Sequence, residues 1–154
     1  MVALGAYSIF KMAINSRNKG ASSEREFCQL VLELSGVRLI RNLEQSRSGG
    51  FDLVVHSEEV GDVADTFRNL AIECKRYSKV TPGLIKTWWQ QAKDQAALQR
   101  LHPALAYRAD RHEWQVLTPL HLINRSLTEN LSIEACASVS VSGFCTIIHN
   151  IAAG

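Results

Sequence analysis

The sequence predicts an α/β fold in which a mixed central sheet is flanked by helices. Three observations lead there. Residues 49–55 and 69–77 are short apolar runs of strand length, each carrying acidic chemistry at its end. Residues 22–35 and 83–101 place apolar side chains at helical spacing. Two further strand-like runs, 104–108 and 114–117, follow the second helix. Helices packed on a sheet bury the apolar face of both.

Taken in order, residues 13–21 are polar, basic and rich in flexible types, an arm leading into the first helix. Ser22 or Ser23 offers an N-cap, and Glu24 and Glu26 stand in the first turn, where the helix dipole favours carboxylates. Phe27, Leu30, Val31 and Leu34 supply the apolar stripe, and Gly36 suits the helix end. Residues 37–43 read as a first strand and 44–50 as a loop rich in Ser, Arg and Gly. The strand with Asp52 comes next. A charged connection, 57–68, is expected to protrude as a hairpin before the strand with Glu73.

Pro82 and Gly83 open the second helix, with Ile85, Trp88, Trp89, Ala92 and Ala96 on one stripe and Gln91 and Gln95 on its rim. At that spacing the tryptophans read as core, with base stacking as the alternative. Asp110 and Arg111 fall near the turn between the next two strands. Pro119 starts a short helix reaching Leu127, and Val/Ser alternation over 138–142 suggests an edge strand. The expected organisation is an arm over 1–17, a core over 18–118 and a C-terminal extension over 119–154.

A chain of 154 residues is of single-domain size. Composition excludes collagenous, repeat and disordered classes, and no run approaches the ~20 apolar residues of a membrane span. Four cysteines without a basic leader or cleavage-site pattern point to reduced thiols in the cytoplasm. The net charge of +2 is unevenly spread: +3 over residues 1–50, −5 over 51–74, +6 over 75–111 and −2 over 112–154. An acidic segment between basic ones fits a cation site set in a surface for a polyanion. A solvated surface with chance clustering is the duller reading.

Residues two apart on a strand share a face, so Glu73 and Lys75 project together. A carboxylate from the neighbouring strand, Asp52, would complete a small acidic site beside an ammonium. Mg²⁺ prefers a few carboxylate oxygens with retained waters, and so bound it polarises phosphoryl oxygens and acidifies water. Such a site suits phosphodiester cleavage. Alternatively, Asp52 caps a turn and Glu73 and Lys75 form a solvated pair. Helical phase barely separates Glu24 from Glu26 as a further acid.

Asn18-Lys19-Gly20-Ala-Ser-Ser-Glu24-Arg25-Glu26 resembles the Lys-Gly-x-x-x-Glu-Arg opening of archaeal-type Holliday junction resolvases. Phe51-Asp52 and Ile72-Glu73-Cys74-Lys75 resemble the core motif of the PD-(D/E)XK nuclease superfamily, with Phe51 where the motif has Pro. The similarity runs over 18–76 and loosely to about 118. It implies a restriction-endonuclease-like core and a Mg²⁺-dependent DNA endonuclease, with Mn²⁺ able to substitute. It also implies that Asp52, Glu73 and the Cys74 carbonyl are metal ligands, with Glu24 chosen over Glu26 to complete the cluster. Lys75 would orient the attacking water or offset charge on phosphorus.

Related nucleases carry a glutamine on the following helix, which gives Gln91 a contact to water or DNA; a plain polar rim is the other reading. Arg17, Lys19, Arg25, Arg47, Arg76 and Lys79 flank the site and could grip phosphates, and Ser48 sits in a loop able to approach the backbone closely. Cutting a four-way junction symmetrically calls for a C2 homodimer. No membrane and no small-molecule cofactor is expected. The rivals are a nuclease of the same fold acting on other DNA, and a silent module of that fold that binds nucleic acid or protein.

Overall fold

Strand β3 (Leu70–Tyr77) is the spine of the protein, with its first five residues buried. In the computed structural model, the main chain is described for residues 2–44 and 50–154, and side chains from residue 19 onward within those limits. β3 runs parallel to β4 (His102–Ala109), in register from Leu70↔His102 to Tyr77↔Ala109. A parallel pair needs a crossover, here α3 (Pro82–Leu98), with Thr81 as N-cap accepting from the Leu84 amide and Pro at the first helical position. On one side β3 meets β2 (Leu53–Val55), which pairs in turn with β1 (Leu39–Arg41), both antiparallel. On the other side β4 is followed by β5 (Gln115–Pro119) and the edge strand β6 (Cys136–Ser140), again antiparallel. The result is a mixed six-stranded sheet in sequential order.

Pleating divides the core into two layers. Leu39, Leu53, Ile72, Cys74, Ala104, Ala106 and Val116 pack with Phe27 and Val31 of α1 (Val2–Ser35), Ala64 and Phe67 of α2 (Asp62–Arg68), and Phe144, Cys145 and Ile148 of α5 (Val141–Ala152). On the opposite face Leu105 and Leu117 pack with Trp88, Trp89 and Ala92 of α3. Phe51 joins Ala71 and Ala96 in a third small cluster on the α3 side. The restriction-endonuclease-like arrangement expected from the sequence is present, with helices on both faces of a mixed sheet.

Both tryptophans of α3, Trp88 and Trp89, are core residues. Trp89 is 1% exposed and donates Nε1–H to the Leu131 carbonyl at 2.8 Å, tying α3 to the segment before β6. Trp89→Phe should therefore cost about 1–2 kcal/mol, since it removes a donor and leaves a carbonyl unpaired. Urea denaturation checks this.

Four elements differ from the sequence reading. The first helix begins at Val2, so the polar 13–21 stretch is helical. Ser23 is mid-helix, donating its hydroxyl to the Gly20 carbonyl, and is no N-cap. Propensity is a weak prior, and one helical glycine costs only about 1 kcal/mol. The 57–68 connection holds α2, because Phe67 and Ala64 find a buried face against α5 and the sheet. The helix after Pro119, α4 (Leu120–Ile123), stops four residues short of Leu127. Finally, the Val/Ser alternation ends at Ser140, which caps α5 by accepting from the Gly143 amide at 3.0 Å.

Residues 119–154 thus supply the edge strand and a helix of the same layered core. No helix among the described residues is long and apolar enough to cross a membrane.

Candidate active site

The site lies where β2 stops pairing with β3. Leu53↔Ile72 is the one registered pair between them. Just before it, the Asp52 amide donates to the Ile72 carbonyl at 3.0 Å. The next β3 amide, that of Cys74, donates instead to the Asp52 carboxylate, Oδ2 at 2.7 Å. A side chain has replaced the ladder, and the strands part around it. In a strand a residue's N–H and C=O leave on the same edge, so the Cys74 carbonyl faces the same opening. Burial, reinforced by Asp52, holds the Cys74 thiol well above its usual range. The thiol stays protonated, which leaves the main chain as the group Cys74 can offer a cation.

Glu73 and Lys75 share the α3 face of β3, with Lys75 Nζ 3.1 Å from Glu73 Oε1. Gln91 of α3 donates Nε2–H to that same oxygen at 3.2 Å. Both described partners of Glu73 thus converge on Oε1, while Oε2 is buried with no hydrogen-bond partner among the described residues. The Glu73 pKa is pushed up to about 7: burial raises it most and the Asp52 carboxylate next, against Lys75, which lowers it, and a smaller upward push from Glu24. The negative charge of Asp52, and more weakly that of Glu24, thus reaches the Glu73 carboxyl. A buried carboxylate oxygen without a partner is costly, and a cation bound there would satisfy it.

Glu24 arrives from α1 on the other face and is buried. It is ion-paired to Arg41 through Nε and Oε2. Arg41 went unnoticed in the sequence because 17 residues separate it from Glu24. Its one signal is alternation with buried Leu39, which turns it toward α1. Glu26 has a different task. It accepts from Arg108 Nη1, from Trp114 Nε1 at 3.2 Å and from Arg76 Nη1 at 3.5 Å, anchoring α1 to the far strands.

A cavity of about 430 Å³ opens among Glu24, Asp52, Cys74, Lys75, Arg76 and Lys19. Lys19 and Arg76 border it while each pairs with Asp110 at 3.2 Å. Their hydrogen bonds lower the Asp110 pKa, Lys19 contributing most. Arg25 lies apart, beside Cys28, Leu32 and Ile40. Lys79 is exposed in the β3–α3 connection. The Arg17 side chain, Arg47 and Ser48 fall outside the described residues.

The donor set consists of hard carboxylate oxygens with a main-chain carbonyl, which fits Mg²⁺ or Mn²⁺ far better than a thiophilic ion. With an ammonium beside it and a basic rim, the arrangement can bind a phosphodiester and stabilise negative charge on its phosphorus.

Comparisons with known proteins bear on this chemistry. A family model described as "Phage putative PDDEXK endonuclease" matches residues 15–152. No curated protein matches the chain. Among solved structures, the 1.6 Å structure of Archaeoglobus fulgidus Hjc, described as a Holliday junction resolvase from an archaeal hyperthermophile, aligns at 17% identity with a TM-score of 0.39. That alignment covers 82% of this chain and 98% of that one.

Proposed function

The chain belongs to the phage putative PDDEXK endonuclease family, and from that premise we propose that it is a Mg²⁺-dependent endodeoxyribonuclease that resolves four-way junctions as a homodimer. Nucleases of this family generally use divalent metals. The observation that carries the reading is the buried, partnerless Oε2 of Glu73, whose carboxyl feels the charge of Asp52 and Glu24 and would be satisfied by a cation. Asp52, Glu73 and the Cys74 carbonyl would hold the ion, with Glu24 completing the acidic set. When bound, a divalent cation supplies charge to the phosphoryl oxygens and acidifies an attacking water.

The chain's own side chains do the rest. Lys75 places an ammonium where negative charge builds on phosphorus, or where it can orient the water. Gln91 and Lys75 together hold Oε1 of Glu73, which would leave Oε2 as the oxygen to receive a cation. Arg41 holds the Glu24 carboxylate in place across the sheet opening. Lys19 and Arg76, with Arg17, Arg47, Ser48 and Lys79, form the proposed phosphate grip, from which Arg25, beside the separate cavity near Cys28, is left out. Junction preference rests on the Lys19-to-Arg25 opening of the sequence, and two symmetric cuts require two copies related by a two-fold axis. A phage-infected or bacterial cytoplasm is the proposed setting.

The test is cleavage of a four-way junction, a linear duplex and a single strand in Mg²⁺. Paired symmetric cuts on the junction, faster than on either control, are expected. Equal rates on all three remove the junction assignment. DNA affinity should also fall by on the order of 10²-fold or more between about 50 and 200 mM salt, as a grip through several phosphates requires. A flat salt response contradicts that part.

A further inference from the structure

We propose that His102, His121 and Glu129 form a second metal site, for a divalent transition-metal ion of the zinc class, at the end of the sheet away from the carboxylates. His102 opens β4 opposite Leu70 of β3. The Asp52-bonded Cys74 lies four residues further along, roughly 13 Å at the strand rise. His121 is on α4 and Glu129 in the segment after it. One ligand atom from each of the three lies within 4.8 Å of the others. The imidazoles meet edge to face, with centroids 6.2 Å apart and planes at 61°.

A second observation points to a ligand. His121 Nε2 is buried with no hydrogen-bond partner among the described residues. The other ring nitrogen, Nδ1, lies 3.4 Å from the Asn130 amide, at the outer limit of a hydrogen bond, so coordination through Nε2 sacrifices little there. Arg125, which borders the cavity of about 220 Å³ beside the histidines, donates to the Ile151 carbonyl at 3.1 Å and is thereby held toward α5.

The chemistry selects the ion. Two imidazoles and one carboxylate suit Zn²⁺, Co²⁺ or Ni²⁺, whereas Mg²⁺ keeps to oxygen. Tetrahedral Zn²⁺ with ligand bonds of about 2.0–2.1 Å sets its donors about 3.4 Å apart. The three groups need draw in by no more than about 1.4 Å, to which the exposed Glu129 contributes by rotating. Three protein ligands leave the fourth position to water. Bound there, the ion ties the 121–129 segment to the start of β4, close to where Leu131 receives Trp89 of α3.

The experiment is Zn²⁺ titration by calorimetry in excess Mg²⁺, with a parallel thermal unfolding series. A single Zn²⁺ per chain should bind both the wild type and Asp52→Asn, and should raise the unfolding midpoint. His102→Ala and His121→Ala should abolish that binding. Glu129→Gln, a surface change that keeps the fold testable, should weaken it by about tenfold or more. The proposal is overturned if folded wild type binds no Zn²⁺ in excess Mg²⁺. It is equally overturned if Asp52→Asn removes the binding while Glu129→Gln and His102→Ala retain it.

Discussion

Asp52→Asn and Glu73→Gln should each lower the proposed Mg²⁺-supported DNA cleavage by at least about 10²–10³-fold, the scale on which losing one preorganised electrostatic group is felt. Both changes remove charge while conserving volume and the ability to accept a hydrogen bond, so the Cys74 amide keeps a partner in Asp52→Asn. DNA affinity should hold or rise slightly, because the grip is assigned to the basic rim and a nearby negative charge has been deleted. Rates on the junction substrate, with affinity measured in Ca²⁺, separate the two effects. Wild-type rates in both variants would show that the acids are structural only.

The second large effect is a pH-dependent stability that the cation should abolish. Glu73 is 3% exposed, and its pKa rises from 4.5 to about 7 in the fold through burial, with Asp52 and Glu24 adding to it. Below the unfolded value both states are protonated and the site carries no penalty. As pH climbs through the window from 4.5 to about 7, the unfolded chain releases its proton first. Stability therefore falls across that window and stays low above it. At 1.36 kcal/mol per unit the loss is on the order of 3 kcal/mol. Without divalent ions the unfolding midpoint should drop from pH 5 to 8, and saturating Mg²⁺ should restore most of it. Glu73→Gln should be more stable than wild type at pH 8 and should lose the part of the pH dependence that Glu73 contributes over that range. A midpoint independent of pH in metal-free wild type would contradict the raised Glu73 pKa and the burial behind it.

What the sequence made legible follows from how local each signal is. The β3 run, the α3 stripe and the Gly36 helix end depend on neighbours a few residues away, and the structure has all three. Gly36 takes φ 77°, and its amide closes on the Leu32 carbonyl at 2.9 Å. Helix α5 was missed because Val141, Thr146, Ile147 and Ile148 favour strands by propensity. Its helicity comes from the Ser140 cap and from burial of Val141, Phe144, Cys145 and Ile148, spaced for one helical face. The overturned Ser22/Ser23 cap has the opposite cause, since a good capping residue says nothing about the turns before it.

In the site, Asp52 stands in a bend just before β2, whereas the shared face of Glu73 and Lys75 was legible because strand period places them together, as their 3.1 Å contact shows. The pairing of Arg41 with Glu24 and the separate engagement of Glu26 were not, since each joins elements far apart in sequence. His102, His121 and Glu129 are a further case, brought together only by the order of β4 and α4.

The most direct measurement is calorimetric titration of Mn²⁺ into the folded protein at neutral pH, beside the Asp52→Asn/Glu73→Gln double variant. The carboxylate cluster should bind Mn²⁺ in the wild type and lose it in the double variant, with matching circular dichroism spectra. Undetectable binding by wild type, or equal binding by both proteins, would contradict a cation site built from Glu24, Asp52 and Glu73.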